Sequence, residues 1–406
     1  MGRKILLDLG PLCRALGRQR SRFLLIAVEI ALTLAIVTNC VNLLLELRQV
    51  MLRPSGLDET NQITVRVVPF AEELRSEEAG RQERRLDLER LRQIPGVKAA
   101  TGISSLPLSG GGSSTGRRPV GTEITSIPTP YFEVGTHALE TLGVELIAGR
   151  DFLPEDFVGR EAARHNVLLT ESLAKKLFPD GALGKEIEGR AGQQTEKVVG
   201  IIGKMTNAWP DSDFYADVML YAGDPGEREA YRFLVRTEPG RRDEVAALID
   251  RALLERNQGR LIDVISMTEV RGDTFRSSVG LIRLLTAVVV LLVLVTALGI
   301  AGLTSFSVTQ RIKQIGTRRA LGASRLDILR YFLVENWIVT SSGLVAGILA
   351  SFALNSALLS WADAPKLGFG LIASGMVLLW LVGLAAAFAP ARRAMLLPPV
   401  IATRSV

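Results

Sequence analysis

Gly112-Ser113-Ser114-Thr115-Gly116 has the spacing G-x-S-x-G, which on a strand-to-helix turn would expose a nucleophilic serine. That chemistry needs a base within hydrogen-bond reach, and His137 and His165 are the only histidines in the chain. The motif sits in the Gly/Ser-rich stretch SGGGSSTGRRP, Ser109 to Pro119, which reads as a mobile loop. Catalysis is therefore not expected. The two histidines do not form an H-E-x-x-H pair and have no cysteine near them, so a zinc site is not expected either. Gly184-Lys185 is followed by Glu186 rather than Ser or Thr, and lacks the spacing of a Walker A loop. No cofactor is expected on this chain, and it is not read as an enzyme.

Four long apolar runs must position whatever chemistry remains. Phe23 to Leu45, Val279 to Val308, Tyr331 to Leu359 and Gly368 to Ala389 can each cross a hydrocarbon core, which takes about 20 apolar residues. Arginine and lysine cluster in 1–22, 309–330 and 390–406, and the positive-inside rule makes these three segments cytoplasmic. The block 46–278 is then exported. It holds 31 Lys+Arg against 37 Asp+Glu, although the whole chain is +6. The basic balance thus reports membrane orientation, and nucleic acid is not an expected partner. The first run exceeds a signal-peptide core and is read as a retained anchor. Cys13 and Cys40 fall outside the exported block, so no disulfide is expected.

Within that block, NQITVRVVPF alternates like a strand, and ERRLDLERLRQIPGV reads as an amphipathic helix stopped at Pro95-Gly96. Asn166 to Leu169, Lys197 to Ile202 and Tyr231 to Arg236 read as strands, and ESLAKKLF and RRDEVAALIDRALLERN as helices. The simplest architecture is a mixed α/β domain of two lobes inserted between the first and second spans of a four-helix membrane unit.

The segment Phe306 to Leu333, FSVTQRIKQIGTRRALGASRLDILRYFL, places a basic amphipathic hairpin between two spans. Ile312, Ile315 and Leu321 are read as one apolar face, with Arg311, Lys313, Arg318 and Arg319 on the others. Gly322 can end the first helix. Ser324 and Asp327 have capping-box spacing for the next. Such an elbow could lie on anionic lipid or dock into a protein. Inside the spans, Glu29 and Glu335 are ionisable groups and so functional candidates. Glu29 is read as an interhelical or dimer contact, Glu335 and Asn336 as packing against the hairpin, and Asn39 and Asn42 as bonding across helices.

A resemblance ties these features together. IPGV, SSLPLSG, TPYFEVGTHALETLGVELIAGRDF, VLLTESLAKKLFPDGALGKEI and VVGIIG are similar to the periplasmic core of MacB/FtsX-like permeases of ABC systems. QIGTRRALGASRLDILRYFLVEN and FAPARRAMLLPPVIATR resemble the membrane motifs of the same family. The resemblance implies a dimer, with an identical or a sister permease chain, in the bacterial inner membrane. It also implies that the helices bordering the exported block extend as a stalk. It makes Arg311, Ile312, Ile315, Gly316, Arg318, Arg319, Leu321, Gly322, Ser324 and Asp327 a coupling segment for an ABC ATPase subunit. ATP and Mg would be held by that partner, a separate polypeptide. The family often has an acidic residue where this chain has Gln314. Efflux of a peptide or antibiotic with a periplasmic adaptor and outer-membrane duct is the expected function. Lipoprotein release and FtsX-type control of a cell-wall hydrolase stand as alternatives.

Overall fold

The computed structural model describes residues 20–71, 77–123, 125–157, 164–189, 195–223, 230–362 and 364–398. Two compact units emerge: residues 50–277 form one, and the flanking segments up to 49 and from 278 onward form the other.

In the exported unit, strands β1 (Gln62–Pro69), β2 (Val97–Gly102), β10 (Tyr231–Thr237) and β11 (Arg260–Ser266) form an antiparallel sheet ordered β11-β1-β10-β2. Alternation along β1 sends Ile63, Val65 and Val67 to one face. There they meet Leu91 of α2 (Glu77–Arg92) and Val245, Ile249 and Leu253 of α5 (Arg242–Leu254). Helix α2 ends ahead of Pro95, and Gly96 supplies a φ of +93° for the turn into β2.

A second, mixed sheet joins β3 (Ser113–Arg117), β4 (Ile127–Val134), β9 (Met219–Ala222), β6 (Arg164–Thr170), β8 (Thr195–Ile202) and β5 (Leu146–Gly149) in that order, with β7 (Glu186–Glu188) on β8. Short α3 (Ala138–Leu142) and α4 (Glu171–Leu177) contribute to its cores. One hydrophobic cluster takes Leu234 from the first sheet and Phe132, Leu168 and Leu220 from the second, so the two lobes share a core. Helix α6 (Met267–Thr274) joins it through Met267 and Val270.

The expected mobile loop at Ser109 to Pro119 is corrected here. Its second half is edge strand β3, paired with β4 from Ser113↔Tyr131 to Arg117↔Ile127. Gly/Ser composition hid the strand because the pairing is carried by backbone groups, which those residues also possess.

In the membrane unit, α1 (Arg20–Met51), α7 (Arg276–Gln310), α9 (Arg325–Ala362) and α10 (Phe369–Met395) each contain a stretch long and apolar enough to span a bilayer. The short α8 (Ile312–Ala320) lies between α7 and α9 in sequence. The second arm of the expected hairpin is no separate element: α9 starts at Arg325 and runs on unbroken through the third apolar run.

Helix α9 packs on α1 through a small-residue stripe at four-residue spacing, Gly343, Gly347 and Ser351, with Asn355 next in line. A Cβ at Gly343 would stand 2.8 Å from the Ala27 carbonyl oxygen, and one at Gly347 would stand 3.0 Å from Leu34 Cβ. The backbones approach because these positions carry no side chain to separate them. Polar groups close the seam. Asn39 Nδ2 donates to Ser351 O at 3.1 Å, Asn355 Nδ2 to Asn39 Oδ1 at 3.1 Å, and Asn42 Nδ2 to Pro365 O at 2.8 Å.

Candidate coupling elbow and intramembrane polar groups

Helix α8 leaves the end of α7 and is stopped by a Schellman turn. Gly322 adopts φ +98°, Gly322 N–H donates to Arg319 O, and Ala323 N–H donates to Arg318 O. Two residues later the chain re-enters a helix through a capping box. Asp327 N–H donates to Ser324 Oγ, while Ser324 N–H and its hydroxyl both donate to Asp327 Oδ2. Those bonds favour the charged carboxylate and hold Asp327 below the usual range. Gly322, Ser324 and Asp327 thus fix a rigid corner.

The apolar face expected from Ile312, Ile315 and Leu321 divides. Ile315 is 4% exposed and packs with Val308, Ile328, Phe332, Ala391 and Ala394, and Gly316 is buried beside it. Leu321 is 84% exposed at the tip of the turn, and Ile312 is half-buried. Six residues at about 100° each place Leu321 some 240° round from Ile315, so the two cannot share a face. The inward side of α8 is consumed by the protein itself. The outward side carries Lys313, Gln314, Thr317 and Leu321, with Leu326 exposed on the first turn of α9.

The arginines divide by the same logic. Arg311 Nη1 donates to Glu335 Oε2 at 2.8 Å and to Tyr331 Oη at 3.1 Å, tying the start of α8 to α9. Arg319 Nη1 donates to the carbonyls of Met395 at 2.8 Å and Leu397 at 3.1 Å, where the end of α10 leaves acceptors free. Arg318 lies over the Tyr331 ring at 4.8 Å from its centroid. Three residues that read in sequence as docking charges are therefore also clamps within the membrane unit. Sequence reading sets Glu335 against the hairpin but does not pick out Arg311, 24 positions away, as its partner. The Gly343/Gly347 stripe was legible as a small-xxx-small pattern in an apolar helix.

Glu335 is buried, and its second oxygen, Oε1, has no hydrogen-bond partner among the described residues. The residue lines a cavity of about 20 Å³ together with Phe23, Ile26, Thr304, Ser307 and Asn336. A void of that size holds one water molecule, which is far too little for a substrate path. Asn336 reaches across to α10, donating to Gly383 O at 3.0 Å. Glu29 has its carboxylate against α7: a Cβ at Gly299 would stand 2.8 Å from Glu29 Oε2. One turn further along, Thr33 and Thr296 hydroxyls bond at 2.8 Å. Glu29 is thus an interhelical contact within the chain.

The hydrolase-like motif is laid out along edge strand β3, not on a strand-to-helix elbow. His137 sits 3.7 Å from Glu140 at the surface, and His165 packs edge-on against the Tyr221 ring. Neither hydrogen-bonds a serine among the described residues.

Comparison with known proteins agrees with this layout. Residues 24–252 match the MacB-like periplasmic core domain, and residues 286–399 match the FtsX-like permease C-terminal region. The macrolide export ATP-binding/permease protein MacB of Chromobacterium violaceum is 28% identical over 279 residues, 66% of this chain and 42% of its own length. The chain therefore spans about two fifths of that relative. An uncharacterised ABC transporter permease of Bacillus subtilis, YknZ, is 24% identical over 365 residues, 87% of this chain and 88% of its own length. Among solved structures, the periplasmic region of MacB from Actinobacillus actinomycetemcomitans aligns at TM-score 0.33 and 13% identity, covering 57% of this chain and 98% of that one. The extracellular domain of YknZ aligns at 0.34 and 19%, covering 51% and 100%. With a periplasmic-core match over more than half of its length and a permease match running from within α7 through α10, this multi-pass membrane chain with an exported domain belongs to the MacB/FtsX-like family of ABC permeases.

Proposed function

We propose that the chain is the permease subunit of an inner-membrane ABC transporter, and that a separate ATPase subunit drives it through the elbow at residues 311–327. The observation that carries this reading is the division of the elbow. Its inner side is clamped by Arg311, Ile315 and Arg319, while Leu321 stands exposed at the tip of a corner fixed by Gly322, Ser324 and Asp327. A rigid corner bonded to α9 and α10 would pass on a push as a lever does, and an apolar tip flanked by Lys313 and Arg318 suits a groove in a protein partner better than open water. The two chains of a dimer would each offer one such corner. ATP and Mg would be bound by the partner.

Efflux of a peptide-like or antibiotic-like substrate, with a periplasmic adaptor and outer-membrane duct, is the fuller reading. It draws on the export named for the MacB relative. The substrate would be handled on the exported side. The test places the purified chain in nanodiscs with the ATPase encoded beside it. The chain alone should hydrolyse no ATP, and the pair should form a complex with stimulated hydrolysis. Deleting its gene should sensitise the cells to macrolides or antimicrobial peptides. Unchanged susceptibility, with cell-wall cleavage or lipoprotein release impaired instead, would replace efflux by one of those functions.

A further inference from the structure

The face of the four-stranded sheet that turns away from α2 and α5 carries Thr64, Arg66 and Val68 of β1, Arg232 and Leu234 of β10, and Leu261, Asp263 and Ile265 of β11. Its lower half is core: Leu234 is buried and Ile265 packs against the shared cluster. Its upper half is open. There Arg66 lies directly opposite Arg232 on the neighbouring strand, a like-charge register that disfavours the sheet. Arg66 is exposed and Arg232 half-buried. Burial, and then the Arg66 charge, lower the Arg232 guanidinium from its ordinary range. Neither arginine has a carboxylate or carbonyl partner among the described residues. Asp263 faces Arg66 from β11 without forming an ion pair with it.

Several other arginines of the unit do have a carboxylate partner. Arg117 pairs with Glu196, Arg150 with Asp156, Arg236 with Asp58, Arg260 with Asp87 and Arg271 with Glu59. The unit is net acidic, yet these two arginines form no ion pair among the described residues, even with Asp263 opposite Arg66. Beside them Leu261 is 60% exposed and pairs with the half-exposed Val68.

We infer that Arg66 and Arg232 form a recognition site for a carboxylate of an exported partner protein, whose contacting segment sets an Asp or Glu beside an apolar side chain that covers Leu261 and Val68. Two guanidiniums across a strand pair can grip both oxygens of one carboxylate, which removes the repulsion between them. A cationic ligand is rejected by the same charges. An anionic lipid surface is disfavoured because the unit carrying the site is itself net negative. The inference stands apart from the coupling role of the elbow, which involves none of these residues.

A zero-length cross-link tests it. In intact cells of the source bacterium, full-length chain carrying Arg66→Lys keeps the charge and adds an amine. Asp263→Asn in the same chain removes the internal carboxylate opposite it. A carbodiimide should then join position 66 by an amide to an Asp or Glu of an exported protein, adjacent in sequence to an apolar residue. Adding Arg232→Gln should reduce that product about tenfold or more. Four results would overturn the inference: no adduct, an adduct confined to the same chain, one to a second copy of the chain, or one to lipid. Retention of the adduct at full yield with Arg232→Gln would overturn the paired role.

Discussion

The exported and membrane units solve the burial of polar groups in opposite ways. The exported unit buries full charges against opposite charges and hydroxyls. Arg117 donates to both Glu196 oxygens at 2.8 Å and to Tyr221 Oη at 2.7 Å, with Tyr221 donating in turn to Glu196. Arg260 donates to Asp87 Oδ2 at 2.5 Å, where the Tyr231 hydroxyl also donates, while Asp87 Oδ1 has no hydrogen-bond partner among the described residues. Burial raises Asp87 even so, against the pull of Arg260 and Tyr231. The membrane unit instead closes its seams with glycine, hydroxyl and amide groups, and buries one ion pair among its described residues, Arg311–Glu335. Charged networks specify a single geometry and resist displacement.

The largest effect is expected where the exported network is broken on one side. Arg117→Ala leaves Glu196 buried without its partner and should cost about 3 to 5 kcal/mol in denaturant unfolding of the full chain. Replacing both residues by Leu should recover most of that loss. A single variant as stable as wild type would remove the contrast between the units. In the membrane unit, the equivalent wedge is steric. Gly343→Leu forces a side chain against the Ala27 carbonyl and should cost about 3 kcal/mol, read as a lower thermal midpoint in detergent.

How much of this was legible in sequence follows the range of each interaction. The four spans, the β1 alternation, the α2 stop at Pro95-Gly96 and the Gly322 corner are local patterns, and each is present in the structure. Strand β3 was hidden because a Gly/Ser segment has no side-chain signature of pairing. Ile315 and Leu321 were assigned one face although six residues set them some 240° apart on a helix, and Leu321 lies past the residue where the helix ends. Arg311 with Glu335, and Arg66 beside Arg232, depend on contacts that only the fold creates.

Smaller effects sharpen the comparison. Arg311→Ala removes the tie between α8 and α9 and should weaken it by about 2 kcal/mol, seen as roughly thirty-fold faster hydrogen exchange of the amides of 312–320. Unchanged exchange would show that Ile315 packing alone holds the elbow. Gly322→Ala introduces a Cβ at φ +98° and should cost about 1 kcal/mol, with slower coupling and normal insertion.

Acid should act on the exported unit through Asp156. Burial alone would raise its pKa, but bonds from Arg150, the Leu153 amide and Asn166 hold it at about 2. Its folded value lies below the unfolded value of about 3.9, so its contribution is present above that pH and is lost as pH falls through about 2. Asp156→Asn should flatten this part of the acid-unfolding curve.

The account rests most heavily on the division of α8 into an inner, structural side and an outer, docking side, and two aspartate substitutions separate them. Leu321→Asp places a charge on an exposed tip, and Ile315→Asp places one in a packed core. In co-purification with the cognate ATPase, Leu321→Asp should insert and unfold like wild type yet lose the ATPase. Ile315→Asp should lose thermal stability by about 3 kcal/mol or more before any question of docking arises. Full ATPase retention by Leu321→Asp would contradict the assigned docking side.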